Sequence, residues 1–144
     1  LLERPDGFDI APLQDAQQRI RERCPTDDNA APSPELVAAD VDFHRVMVSL
    51  AGSPRLSRAH EPLAAESQML LNWHPVYPVS DYVSDHQKLL QVIAERDPTV
   101  GEVVRAHLEL TVVLLTEEAT RYADRLTSAE SLVHTERHNE GSLG

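Results

Sequence analysis

The sequence predicts an all-α protein whose helices pack as an antiparallel bundle. Apolar residues recur at three- and four-residue spacing along most of the 144-residue chain, which is the period of a helix with one buried face. No run of alternating β-branched residues indicates a strand, and the chain has only 5 glycines. The connections between the predicted helices are short, and short connections make neighbouring helices antiparallel.

Five helices are predicted in order along the chain. Three of them share a start signal, which is a residue that can cap the helix followed by a proline that fits the first turn. These signals are Ser33-Pro34, Ser53-Pro54 and Asp97-Pro98. Ser80 or Asp81 opens the fourth helix. The predicted helices span about Asp9–Cys24, Pro34–Leu50, Pro54–Trp73, Ser80–Arg96 and Pro98–Leu126.

Two connections and a tail separate or follow these helices. Pro25–Pro34 is a polar linker, and His74–Pro78 contains two prolines and is predicted to be a loop. From Thr127 onward the sequence is polar and lacks periodicity, so we expect a frayed or disordered tail. The prediction is therefore one domain, residues 1–127, followed by a disordered segment, residues 128–144.

The composition limits the classes of function. Lys and Arg total 13 while Asp and Glu total 24, which gives a net charge of -11. Such a surface repels nucleic-acid phosphates, so we do not expect this segment alone to bind DNA or RNA. The single cysteine, Cys24, cannot form an intrachain disulfide and fits a reducing compartment. No apolar run approaches membrane-spanning length. We therefore expect a cytoplasmic protein without membrane contact.

Polar side chains interrupt the apolar faces of three predicted helices. Asp40 and His44 lie one turn apart on the second helix, while His86 and His107 lie mid-face on the fourth and fifth. A buried polar group needs a partner, and one carboxylate with three imidazoles can share a divalent metal ion. Taken singly, each His is more simply a hydrogen-bonded core residue. The pattern alone leaves both interpretations open. His60 lies near an apolar face without an acidic or His partner one turn away, so it is not assigned to the site.

The ordered motifs around these residues resemble a known family. Asp40–Arg45, followed by Leu50–Leu56, resembles the D-x-x-F-H-R…(S/A)-G-N-P-x-L signature of the FadR C-terminal domain, or FCD. Asp85–Asp97 is similar to the family's E-H-x-x-I-x-x-A-I-x-x-x-D block, and Val104–Leu108 is similar to its closing A-x-x-H segment. This domain is the effector-binding half of GntR-superfamily transcription regulators.

The resemblance implies a helical bundle around a central cavity in which an Asp and three His hold a divalent ion. Carried over residue by residue, these ligands are Asp40, His44, His86 and His107. Zinc, nickel and manganese all suit such a set. The family's metal-binding members imply a regulator that senses a metabolite rather than an enzyme.

The resemblance also implies an effector and partners. The effector is expected to be a small organic or sugar acid that approaches the metal, and Arg45 and Asn72 are candidate effector-binding positions. The protein is expected to be a homodimer that contacts DNA only through a winged helix-turn-helix domain. That domain and most of the family's first helix are expected to be missing, because Leu1–Arg4 resembles only the end of that helix.

Two departures from the family pattern bear on the site. Ser53 replaces the usual Asn of the G-N-P turn, and we expect Ser to cap the following helix equally well. In the third helix, Glu66–Asn72 occupies a stretch where relatives often carry arginines that face the cavity. We therefore expect a different or less anionic effector. Two alternatives to sensing remain. One is a metal-dependent hydrolase or lyase with Glu66 as the nearest candidate base, and the other is a dimerisation module with a vestigial site.

Overall fold

Five helices form the structure, a computed structural model that describes residues 9–73 and 78–140, with side chains described as far as residue 127. All regular secondary structure in these ranges is helical, which confirms the predicted all-α fold. The helices are α1 (Ala11–Arg23), α2 (Pro34–Leu50), α3 (Pro54–Trp73), α4 (Val79–Ala94) and α5 (Val100–Glu140).

The helix starts follow the capping signals in the sequence. The Ser33 hydroxyl accepts a hydrogen bond from the Leu36 backbone N–H at 3.1 Å, and Ser53 accepts one from Leu56 at 3.3 Å. Just before α5, the Asp97 carboxylate accepts from a backbone N–H two residues later at 2.7 Å. Each bond satisfies a backbone donor that has no partner within the helix. Ser53 therefore caps α3 as expected, although it replaces the Asn of the family turn.

The helices pack in the spatial order α3, α2, α1, α4 and α5, and α5 makes its principal contacts with α4. The core lies where the apolar faces of α1, α2 and α4 meet. Its fully buried side chains have relative exposures of 0–1% and include Leu13, Ile20, Leu36, Phe43 and Leu89. This packing brings the middle of α2 next to α4, which is where the candidate site lies.

The last helix is longer than predicted. The sequence predicts that it ends near Leu126 and that residues 128–144 are disordered, whereas the backbone is helical to Glu140. The physical reason is that residues 127–140 contain no Gly or Pro, so the first helix breaker is Gly141. The domain boundary at residue 127 stays a prediction.

Some predictions fall on residues 1–8, 74–77 and 141–144, which lie outside the described residues. They concern most of the loop predicted after Trp73, the segment Leu1–Arg4 and the last four residues of the tail. Among the described residues, no helix is both long enough and apolar enough to cross a bilayer.

Arg96 offers a test of the backbone just after α4. Its φ is 53°, in the left-handed region where a Cβ is unfavourable, whereas the equivalent turn after α2 uses Gly52 with a φ of 64°. We expect Arg96→Gly to raise the free energy of unfolding by up to about 1 kcal/mol, after the greater entropy of Gly in the unfolded chain is deducted. Urea denaturation measures this change.

Arg105→Gly is the matched control, because Arg105 is exposed in the interior of α5. Gly at that position is expected to lower stability by about 1 kcal/mol. If both variants lose stability equally, the left-handed conformation of Arg96 does not carry the cost assigned to it.

Candidate metal centre

Three imidazoles from three helices converge on one point. The Nε2 atom of His44 on α2 lies 3.1 Å from Nε2 of His86 on α4 and 3.3 Å from Nε2 of His107 on α5. One ring nitrogen from each of the three lies within 4.8 Å of the other two. These separations are short enough for all three nitrogens to bind one ion at the ~2.0–2.1 Å distances typical of Zn–N bonds.

Asp40 joins this cluster from the side of His86. Its Oδ1 atom lies 3.0 Å from Nε2 of His86, and both residues are buried. Asp40 precedes His44 by one turn of α2, as the sequence predicts. The structure thus brings together all four residues that the sequence analysis selected, although the closed group of ring nitrogens consists of the three histidines.

The tautomer of His86 follows from the hydrogen-bond partner of its Nδ1 atom. Nδ1 lies 2.7 Å from the backbone carbonyl of Tyr82. A carbonyl oxygen only accepts, so Nδ1 carries a hydrogen and donates it. In the neutral ring, Nε2 then presents a lone pair to the Asp40 carboxylate and to His44. Two acceptors 3.0 Å apart repel unless a cation, either a proton or a metal ion, lies with them.

Burial disfavours protonation of two of the three imidazoles, His44 and His107. It lowers the pKa of His44 to about 3, although the nearby Asp40 carboxylate acts to raise it. Burial also lowers the pKa of His107, and His86 adds to that effect. For Asp40, burial acts to raise the pKa, but the adjacent His86 and the other imidazoles outweigh it and leave the pKa lowered. The favoured forms of these groups, neutral imidazole and carboxylate, are the forms that bind metal.

Phe43 fixes the orientation of two of the imidazoles. Its ring meets the His86 ring edge-on at a centroid separation of 4.7 Å and an interplanar angle of 81°. It meets the His44 ring in the same manner at 5.9 Å and 85°. Such edge-to-face contacts stabilise by about 0.5–1.5 kcal/mol beyond the area they bury. The apolar core therefore holds the ring nitrogens in place.

A cavity of about 110 Å³ lies beside the cluster. Residues of α2, α3, α4 and α5 line it, so four helices have access to anything bound there. The walls include residues that the sequence analysis did not assign to a site, among them His60, Ser67, Asp81 and Asp85. A signal for two of them was present in the sequence, because Asp81 and Asp85 are one helical turn apart and Asp85 directly precedes His86.

Arg45 and Asn72 do not line this cavity. The Arg45 guanidinium forms ion pairs with Asp42 and Glu61, each at 3.1 Å, on the outer side of α2 and α3. Asn72 is exposed near the end of α3. The expectation that both contact an effector therefore stays a prediction that the lining of this cavity does not support. Arg45 follows His44 directly, and adjacent residues on a helix point about 100° apart, which turns Arg45 away from the site.

The buried histidines predict how the stability of the metal-free protein varies with pH. His44 has a pKa of about 3 in the folded state and about 6.5 when unfolded, so only the unfolded chain takes up its proton between these values. The free energy of unfolding is therefore expected to fall as the pH drops from 6.5 towards 3. Urea denaturation at pH 7, 6 and 5 measures the slope, and His44→Gln should reduce it. Equal slopes for the two proteins would contradict the assignment.

The fold and the site define the class of protein: an all-α domain with a His-lined internal cavity. The sequence profile of the FCD domain matches residues 1–110, and the chain belongs to that family. FCD domains are the ligand-sensing domains of GntR-type regulators, which are generally not enzymes. The matched range includes all four candidate ligands. No curated protein matches the chain, and no solved structure matches it.

Proposed function

We propose that this domain binds a divalent metal ion through Asp40, His44, His86 and His107 and senses a small metabolite at that ion. The observation that carries the proposal is the convergence of three imidazole nitrogens and a carboxylate oxygen from three helices. Nε2 of His86 faces the Asp40 carboxylate and a second imidazole in a buried position where protonation of His44 is disfavoured. A divalent cation satisfies all of these atoms at once.

The bound ion supplies positive charge and free coordination positions for an oxygen ligand. The chain's own residues position it. The backbone carbonyl of Tyr82 holds the His86 ring with Nε2 inward, Phe43 packs against two of the rings, and the cavity provides room next to them. Zinc, nickel and manganese are the ions proposed for this set of ligands.

Sensing requires that a ligand favour one packing of the helices over another. A molecule in the cavity touches α3 through His60 and Ser67, while the candidate ligands lie on α2, α4 and α5. Binding would therefore connect α3 with the three helices that carry the candidate ligands. In a homodimeric regulator, a shift of these helices would reposition attached DNA-binding domains and so change DNA affinity.

The alternative of a hydrolase or lyase loses the base that the sequence suggested for it. Glu66, the candidate base in that mechanism, is exposed on α3 and does not line the cavity. General base catalysis needs a group within hydrogen-bond reach of the reacting water. The remaining alternative, a dimerisation module with a vestigial site, predicts a protein that holds no metal.

Metal content per chain tests the proposal. Wild-type protein reloaded with zinc, nickel or manganese and desalted is expected to hold about one ion per chain by elemental mass spectrometry. His107→Ala is expected to lose most of it, because removing a ligand from α5 leaves the ion with three protein ligands at most. His60→Ala is the matched control, since His60 lines the cavity but lies outside the three-histidine group. A wild type without stoichiometric metal after reloading would refute the proposal.

A further inference from the structure

The wall of the cavity is acidic. Asp81 and Asp85 line it together with Asp40, and among the lining residues that the structure describes none is Lys or Arg. Both α4 carboxylates are half-buried. Neither forms an ion pair with another described residue, whereas Asp40 is already engaged with His86. Asp81 and Asp85 thus add two carboxylates to the cavity wall, and neither has a described Lys or Arg within ion-pair distance, although Asp85 also lines a neighbouring surface pocket with Lys88.

The formal charges decide which kind of effector the cavity accepts. A divalent ion contributes +2, three carboxylates contribute -3 and neutral imidazoles contribute nothing, so the sum is about -1. An effector with only a carboxylate would bring a further negative charge next to Asp81 and Asp85. A carboxylate that binds the metal is favourable in this cavity only if the same molecule also carries a compensating positive charge.

We infer that the effector is a small amino-acid-type zwitterion whose carboxylate binds the metal and whose ammonium group faces Asp81 and Asp85. The inference rests on the proposed function, because it places the effector at the metal. Hydrogen bonds between an ammonium group and carboxylates are charge-assisted and about twice as strong as neutral ones. The absence of arginines from Glu66–Asn72 of α3 agrees with an effector that is not purely anionic.

The size of the cavity limits the rest of the molecule. About 110 Å³ is small beside the roughly 300–1,000 Å³ of pockets that bind drug-sized ligands. The remaining walls include the apolar side chains of Ala64, Leu71 and Leu108. The part of the effector that the cavity encloses therefore has few heavy atoms.

Isothermal titration of the metal-loaded full chain with three matched compounds tests this inference. L-Alanine carries both charged groups, L-lactate has a hydroxyl in place of the ammonium, and isopropylamine has a methyl in place of the carboxylate. Alanine is expected to bind at least about tenfold more tightly than either of the others, since a hydrogen bond to a charged group contributes about 1.5–3 kcal/mol. The inference is overturned if lactate binds as tightly as alanine. It is also overturned if neither alanine nor lactate binds.

The double variant Asp81→Asn/Asp85→Asn locates the source of the preference. It is expected to reduce the ratio of alanine to lactate affinity to near one. Asp42→Asn is the matched control, because Asp42 is an exposed acid on α2 that pairs with Arg45 outside the cavity. A double variant that keeps the full preference for alanine overturns the role given to Asp81 and Asp85.

Metal content, measured on each protein before titration, distinguishes failure of the proposed metal site from failure of the effector inference. A wild type without metal refutes the proposed function, and the effector inference falls with it. A wild type with one ion per chain that prefers lactate refutes the effector class alone.

Discussion

Metal-free protein is expected to melt about 10 °C higher when a divalent ion is added at about 100 times its dissociation constant. An ion that binds only the folded state at that excess stabilises it by about 2.7 kcal/mol. For a domain of this size each kcal/mol shifts the melting temperature by roughly 3–4 °C. The effect is large because the four candidate ligands come from α2, α4 and α5 and are not held together in the unfolded chain.

Differential scanning calorimetry with zinc, nickel and manganese in turn measures this shift. His44→Ala is expected to abolish it, because Nε2 of His44 lies within 3.3 Å of Nε2 in both other imidazoles. His60→Gln should retain it. A wild type whose melting temperature does not respond to any of the three ions, or a His44→Ala variant that responds fully, would contradict the coordination proposed for this site.

Replacing Phe43 with Ala is expected to lower the free energy of unfolding by about 3–5 kcal/mol. The Phe43 side chain has 0% exposure and belongs to the core between α1, α2 and α4. The loss has two contributions: the free energy gained by moving the ring out of water is lost, and the cavity left behind costs further stability. It also removes the edge-on contacts that orient His44 and His86.

Urea denaturation of the metal-free variant isolates the packing term from any loss of metal. Phe43→Leu is the matched control, since it keeps most of the apolar volume and is expected to cost less than half as much as Phe43→Ala. If Phe43→Ala lowers the free energy of unfolding by less than about 1 kcal/mol, the core tolerates the loss of the Phe43 ring and the prediction is wrong.

Local signals in the sequence were sufficient to predict the helices and the meeting of the four polar residues. Ser33 and Ser53 cap their helices through hydrogen bonds to residues three positions later, so each start depends on a few adjacent residues. The convergence of His44, His86 and His107 was predictable because each lies within an apolar face, and apolar faces in a bundle meet at one core.

Features that depend on packing between distant segments were not predictable in the same way. The motif places Arg45 beside His44, but only the position of Glu61 on α3 shows that Arg45 pairs outside the cavity. The acidic wall formed by Asp81 and Asp85 likewise depends on how α4 faces α3 and α5. The end of α5 at Glu140 differs from the expected end near Leu126, and no Gly or Pro lies between residues 127 and 140 to mark an earlier end.

The principal packing of α5 against α4 has a consequence for the dynamics of the domain. His107 is the one candidate ligand on α5, so a metal bound by all four residues would cross-link this helix to α2 and α4. Amide hydrogens in its first turns would then exchange with solvent only through larger openings of the bundle, whereas in the metal-free protein we expect them to exchange when α5 detaches from α4. The ion would thus convert a separately opening helix into part of one cooperative folding unit.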